Sequence, residues 1–445
     1  MLRLRDGQAS LWEVALPPGA KVLAPELAAI DTLLDDNRFL EPFLERFNSR
    51  IGRPTIPIET YLRLMYLKHR YGLGYETLVK EVADSLSWRR FCRLSLEAEV
   101  PHSTTLLKLT QRFGNEIVEE LNQTLLKTAV ERKLLRSRRL RVDTTVMEAD
   151  VRYPTDAGLC SDAIGRLGRA VRKVKGMGLA VRTRFRNRSR SAGKVQRRMS
   201  LLQRWPNRKE AILGLTGKVR DLARAAIRQA ARVVRNGRRR ARSKGQKAAL
   251  ARLTQELERA VRAVIQTNRR LSGETVIPNR VVSLSDLDAR PIRRGKPQKP
   301  TEFGYKVAIG DTAEGFVVAH QVQHGNPRDV DSLAPILAGA KAVGMRVRTV
   351  FADRAYGNEV GDRVLAEAAI PDKVIPRTGR AAPVERGRNW RRRYRFRSGT
   401  EGRISALKRR YGLRRSRLKS HTGAEIWLGF GVLANNLDRM VALAA

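Results

Sequence analysis

The chain has 445 residues, enough for two or three domains, and 42% of them are hydrophobic, which excludes global disorder. With 89 Lys and Arg against 44 Asp and Glu the net charge is +45, which points to a polyanionic partner, nucleic acid before anionic membrane. No run of about 18 uncharged apolar residues could span a membrane, the start Met1–Asp6 has no apolar signal core, and Cys92 and Cys160 with five histidines form neither a disulfide framework nor a zinc site; a reducing, cytoplasmic setting is expected.

Residues 20 to 135 read as helical. Leu27, Ile30, Leu33 and Leu34 recur at helical spacing, as do Ile58, Leu62, Met65 and Tyr66. Tyr71-Gly72-Leu73-Gly74-Tyr75 signals a turn, after which Leu78, Val79 and Val82 resume a helical stripe and Trp88, Phe91 and Cys92 mark a short third segment. Helix, glycine turn, helix predicts a DNA-binding N-terminal domain over 1–135, an ordinary helical bundle being the plainer reading. Pro101-His102-Ser103-Thr104-Thr105 offers an N-cap for a helix continued by Ile117, Leu121 and Leu125.

At Arg138 the period changes to two. Leu140, Val142, Thr144 and Val146 alternate with Arg141, Asp143, Thr145 and Met147, so a strand carries Asp143 on the face opposite Val142. An acid in mid-strand disfavours strand formation, and reads either as an exposed edge face or as a metal ligand aimed out of a sheet. From Ser161 to Arg270 there are 33 Lys or Arg against five acids. Apolar stripes such as Leu250, Leu253, Leu257, Val261 and Val264 make this a basic helical insertion over 161–272, expected as a long hairpin. Its runs Arg182–Arg190 and Arg235–Arg242 would track a phosphate backbone.

Strand patterns return after Asn279. Phe303–Ile309 and Phe316–Val322 flank Gly310–Gly315 as a hairpin; Leu333, Ile336 and Leu337 mark a helix, Val347–Phe351 is a short strand running to Asp353, and a further helix and strand follow. The tail Ile426–Ala445 reads as a packed helix. Without the insertion, three strands precede alternating helices and strands, the order of an RNase H-like α/β fold with a mixed sheet, split here into 136–160 and 273–445.

Between Arg386 and Lys419 stand fifteen Lys or Arg and one acid, Glu401. A carboxylate there repels phosphate unless it holds a divalent cation that the phosphate also needs; a surface i,i+4 pair is the plainer reading. Metal-assisted phosphodiester chemistry uses two ions about 4 Å apart, held by a few carboxylates. Asp143, Asp353 and Glu401 are the candidate ligands. Asp150, Asp156 and Asp162 are the alternatives to Asp143; Glu302 is a further candidate to face the site, and His324, Asn326 and Asp329 read as loop and capping residues before residues of the site's edge. Tyr394, Arg397, Glu401 and Lys408 fall within roughly 60° of one another at about 100° per residue, provided one helix covers them despite Ser398-Gly399.

This series resembles the Asp-Asp-Glu triad of bacterial insertion-sequence DDE transposases. Tyr394-x2-Arg397-x3-Glu401-x6-Lys408 is similar to their tyrosine-arginine-glutamate-lysine signature, and the flanks Val142–Thr145 and Ala352–Gly357 are similar as well. Thr155-Asp156-Ala157-Gly158-Leu159 and Lys299-Pro300-Thr301-Glu302-Phe303-Gly304 resemble the ISNCY-type group. One departure is the insertion, which in better-known relatives precedes the glutamate helix and here follows the first strand, so no insertion function is carried over. The resemblance implies Mg²⁺, with Mn²⁺ as substitute, on Asp143, Asp353 and Glu401. It implies phosphate contacts from Tyr394, Arg397 and Lys408. The expected activity is cleavage at transposon ends and strand transfer by direct phosphoryl transfer, with double-stranded DNA (end repeats and target) as partner, no membrane, and a homodimer on DNA. Tyr153 and Tyr356 are read as packing residues. A nuclease or resolvase without strand joining, and a catalytically inert DNA-binding protein, are the alternatives.

Overall fold

The computed structural model describes residues 1–5, 17–46, 52, 54–202, 205–293, 300–379 and 382–444. They form two compact units, Met1–Asp150 with Gly304–Ala445, and Val151–Phe303.

The first unit opens with helices α1 (Pro25–Leu34), α2 (Ile58–Arg70), α3 (Tyr75–Asp84), α4 (Leu86–Phe91) and α5 (Ser103–Glu131). α5 is two helical pieces joined at Gly114, whose φ of 74° breaks the hydrogen-bond ladder at a residue without a Cβ penalty. Every residue from Ile58 to His69 is buried, so α2 has no solvent face. Two of its charged members find partners inside: Arg63 pairs with Asp31 and Asp35 at 2.7 Å each, and the Lys68 ammonium lies 3.8 Å from the Trp427 ring and 4.5 Å from that of Tyr75. Trp427 sits on the C-terminal helix α14 (His421–Ala444), expected from the tail; from it Phe430 stacks on His69 at 5.6 Å, and Asn122 of α5 donates to the Gly429 carbonyl at 3.0 Å. Residues 1–135 thus pack against the last helix and share one compact unit with it. The expected helix, turn and helix are present as α2 and α3. The exposed face of α3, however, carries Glu76, Glu81 and Asp84 against Lys80, a surface that repels phosphate.

The sheet is mixed, as expected for an α/β unit. β1 (Arg139–Ala149) lies at its centre, antiparallel to β3 (Thr301–Asp311), which pairs antiparallel with β4 (Val317–Gln323) around the expected hairpin turn. β5 (Thr349–Phe351) runs parallel to β1, and β6 (Asp372–Val374) parallel to β5; with the short strand β2 (Arg290–Arg293) the path is β2-β3-β1-β5-β6, and β4 pairs with β3 off that path. A two-residue strand β7 (Arg415–Ser416) pairs with the end of β1. Helices α10 (Leu333–Ala342) and α11 (Glu359–Glu367) supply the crossovers. The alternation in β1 does not make an exposed face: both Val142 and Asp143 are buried, because the strand is central and its polar residues have partners.

Among the described residues the second unit holds four helices, α6 (Asp156–Gly176), α7 (Ser189–Leu202), α8 (Arg208–Arg238) and α9 (Lys244–Leu271), with the short strand β2 (Arg290–Arg293). The expected hairpin corresponds to α8 and α9 alone. The composition change at Ser161 falls inside α6, which starts at Asp156 because the Thr155 hydroxyl accepts the Gly158 N–H at 3.0 Å. Its core is built from small and branched residues, among them Leu167, Val171, Ala226, Ala230, Val233, Leu253 and Ala260. Arginines of the runs at 182–190 and 235–242, including Arg182, Arg186, Arg235 and Arg239, are exposed.

Candidate active site

β1 and β5 are neighbours, and Arg141 stands opposite Phe351 in the parallel ladder. Asp143 and Asp353 each follow that pair by two residues, so the two acids leave adjacent chains at the same level of the sheet. Asp353 caps the turn Arg354–Tyr356, its Oδ1 accepting the Ala355 N–H at 2.9 Å. Asp143 Oδ1 accepts the Thr144 N–H at 2.7 Å.

The third acid arrives from the C-terminal basic block. α12 (Arg388–Tyr394) is followed by a 3₁₀ turn over Arg395–Arg397 and then α13 (Ser398–Arg410). Backbone angles remain right-handed helical through Tyr394, Arg397 and Ser398, so Ser398-Gly399 does not stop the path, although the hydrogen-bond pattern tightens there. Arg397 reaches from this turn to both acids: Nη2 donates to Asp143 Oδ2 at 3.2 Å and Nη1 to Glu401 Oε1 at 3.0 Å. Burial alone would lower the Arg397 pKa, but Asp143, with Tyr394, Glu401 and Asp353 nearby, raises it overall, so the guanidinium stays charged. Glu401 is 65% exposed at its side chain and Asp143 11%.

Among the described residues no three acidic, His or Cys side chains converge as a ready metal cage. A guanidinium stands between two of the acids. That cation is a stand-in for what the carboxylate oxygens are suited to hold, a hard divalent ion with oxygen ligands. The chemistry of the donor set, three carboxylates, suits such an ion.

Tyr394 is half-buried and stacks on Trp390 with ring centres 4.9 Å apart; burial raises its pKa, and Arg397, Asp353 and Asp143 are close enough to act on it. Lys408 lies two turns beyond Glu401 on the same side of α13. Asp143, Asp353, Tyr394, Arg397 and Glu401 therefore lie near one another on β1, the end of β5 and the α12–α13 path.

The other sequence candidates separate from this group. Asp150 follows the far end of β1, seven residues and about 23 Å of strand from Asp143, and faces Arg415 at 3.8 Å. Asp156 is buried against Arg280 at 2.8 Å and Gln266 at 3.0 Å, which makes it structural. Asp162 sits on α6 and Glu302 is buried in β3, both in the second unit; Lys299 lies outside the described residues. Tyr153 packs edge-on against Phe303 at 5.4 Å, as expected. His324 stacks on His421 at 3.6 Å and Asn326 is exposed.

Asp329 departs from its reading as a capping residue. It opens a 3₁₀ turn, and it also accepts the Thr144 hydroxyl at 2.6 Å and pairs with Lys306 at 2.7 Å, beside Asp143 in sequence. Tyr356 is buried with its hydroxyl 3.2 Å from Ser332 Oγ. Burial holds its phenol well above the usual range, and Asp329, Asp143 and Asp353 push it further, so it is a neutral donor beside three carboxylates. Its place three residues after Asp353 is the one sequence signal for this.

Residues 17–112 match the family described as a transposase domain (DUF772), and residues 282–437 match the transposase DDE domain family. A protein of Rhizobium meliloti described as uncharacterized protein ORF8 in the nfe locus is 30% identical over 166 residues, covering 36% of this chain and 78% of that protein. No solved structure matches the chain.

Proposed function

The chain belongs to the DDE transposases of insertion sequences, a family of DNA-processing enzymes, and from that premise we propose that it cuts DNA at the ends of its element and joins the freed 3′ strand to target DNA by direct phosphoryl transfer. The observation that carries this reading is Arg397 bridging Asp143 and Glu401, which unites a central strand with the one acid of the basic block. Asp143, Asp353 and Glu401 would hold Mg²⁺, with Mn²⁺ as substitute. When bound, such ions supply Lewis acidity that stabilises the entering and leaving oxygens.

The chain's own groups position the DNA. Arg397, released from the carboxylates, presents a planar fork to a phosphate, Lys408 adds a point charge and Tyr394 a hydrogen-bond donor. Tyr356 and Tyr394 stay protonated and act as donors, so no tyrosinate nucleophile is required. The pairing of β3 antiparallel with β1 and β4, and of β1, β5 and β6 in parallel, supports an RNase H-like catalytic domain. The second unit supports the reading of a basic insertion that grips DNA by its exposed arginine runs, a task the acidic face of α3 does not share. The stretches Thr155–Leu159 and Pro300–Gly304 favour the ISNCY-type group. Two ends to be joined favour a homodimer on DNA. No helix of the described residues is long and apolar enough to cross a membrane, which accords with action on DNA in the cytoplasm.

The test is cleavage and strand joining of DNA carrying the element's own ends, with Mg²⁺ or Mn²⁺. Asp143→Asn, Asp353→Asn and Glu401→Gln should each abolish both steps and keep DNA binding. Wild-type cutting by all three would refute the ligand assignment, whereas cutting without joining would favour a nuclease or resolvase.

A further inference from the structure

A buried charge network fastens the Glu401 helix to β1. Arg141, two residues before Asp143 and on the same face of the strand, donates Nε to Asp311 Oδ1 at 3.2 Å, and Nη2 both to Asp311 Oδ2 and to the Thr312 carbonyl, the latter at 2.7 Å. Asp311 is 0% exposed at its side chain and Arg141 8%. From α13 the buried Thr400 hydroxyl donates to the same Asp311 Oδ1 at 3.0 Å. The Phe396 ring lies 4.8 Å from the Arg141 guanidinium, and its carbonyl accepts Nη1 at 3.4 Å. A methyl group at Gly399 would overlap that guanidinium.

Phe396, Gly399 and Thr400 thus form the docking stripe. Arg397 and Glu401 each follow a member of that stripe by one residue, about 100° round the helix. Whatever fixes the stripe fixes the direction of Glu401. A buried ion pair is a poor source of net stability compared with apolar packing, but its hydrogen bonds are directional, and an apolar contact would let the helix slide or roll.

We propose that Arg141 and Asp311 are positioning residues, which set the depth and rotation of α13 on β1 and so bring Glu401 to the Asp143 carboxylate. The catalytic consequence rests on the ligand reading above; the docking itself does not.

Gly399→Ala and Thr400→Val are gentler probes than removal of a buried charge, and Asp311→Asn completes the set in the full chain. Spin labels at Arg138→Cys and Arg409→Cys report the separation of β1 and α13 by pulsed EPR; both positions are exposed, and the native Cys92 and Cys160 are buried away from the label. Gly399→Ala should shift or broaden that distance. It should slow cleavage at saturating end DNA about 10- to 100-fold, as a displacement near 1 Å does, with DNA Kd within about twofold, because the distributed phosphate contacts that set affinity remain. In an Arg141→Ala background the added methyl should have a smaller effect. An unchanged distance in both Gly399→Ala and Thr400→Val overturns the proposal whatever the activity. A shifted distance with wild-type cutting, in a protein that Glu401→Gln inactivates, overturns it too. If Glu401→Gln itself cuts normally, the ligand reading fails and the docking stands or falls on the EPR distance alone.

Discussion

Arg397 donates to the Asp143 carboxylate at 3.2 Å across 254 residues of chain. Without a metal, this guanidinium is the internal counter-ion of a largely buried carboxylate, and Glu401 shares it. On the proposed ligand assignment, a bound cation and Arg397 would compete for the same oxygens.

Replacement of Arg397 by Ala should pull two properties apart. Loss of the donor to buried Asp143 should cost about 1–3 kcal/mol of stability in metal-free protein, and added Mn²⁺ should restore more stability than in the wild type. Calorimetric titration should show tighter Mn²⁺ binding without DNA, while end cleavage falls. Weaker Mn²⁺ binding in the variant would mean that Arg397 supports the site rather than blocks it.

Asp329→Asn should behave differently from the three proposed ligands. It weakens the ties to Thr144 and Lys306, so unfolding in urea should reveal a loss of about 1–3 kcal/mol. Cleavage should drop far less than in Asp353→Asn. Equal loss of cleavage in the two variants would make Asp329 a fourth acid of the site.

The arginine runs of the second unit should act by charge alone. Neutralising Arg235, Arg238 and Arg239 should weaken binding to unrelated duplexes and to end DNA alike. The slope of log affinity against log salt should flatten by about 2–3, since each phosphate left without its arginine takes about 0.9 from the slope. An unchanged slope would move the DNA to another surface.

His320 makes stability acid-sensitive. Burial pulls its pKa down to about 4 from the usual 6.5, against an upward pull from Glu425. The folded form therefore keeps the ring neutral while the unfolded chain protonates it. This contribution is at its most favourable above about pH 6.5 and is lost as pH falls toward 4. His320→Gln should flatten that part of a stability–pH curve measured by denaturant melts.

Much of the first unit is legible in the sequence because its signals are local. The period-two run at Leu140–Met147, the glycine-bounded hairpin and the lone Glu401 each announce themselves within a dozen residues. Burial of α2 on every side is not legible, since Arg63 and Lys68 look like a solvent face until Asp31, Asp35, Tyr75 and Trp427 are brought to them. The same holds for Arg141, whose partner Asp311 is 170 residues away. The helix boundary at Asp156 is hidden because composition changes at Ser161, whereas the cap that starts the helix is Thr155.

Glu148 and Gly304 face each other across the β1–β3 ladder. The polypeptide thus departs and returns at one rung, and the whole span between them has the topology of an overgrown hairpin tip. The entropy cost of closing such a span grows only slowly with its length, by about 0.6 kcal/mol for each doubling. Lengthening or shortening of that span leaves the rung between Glu148 and Gly304, and the register of β1 on β3, unaltered in principle.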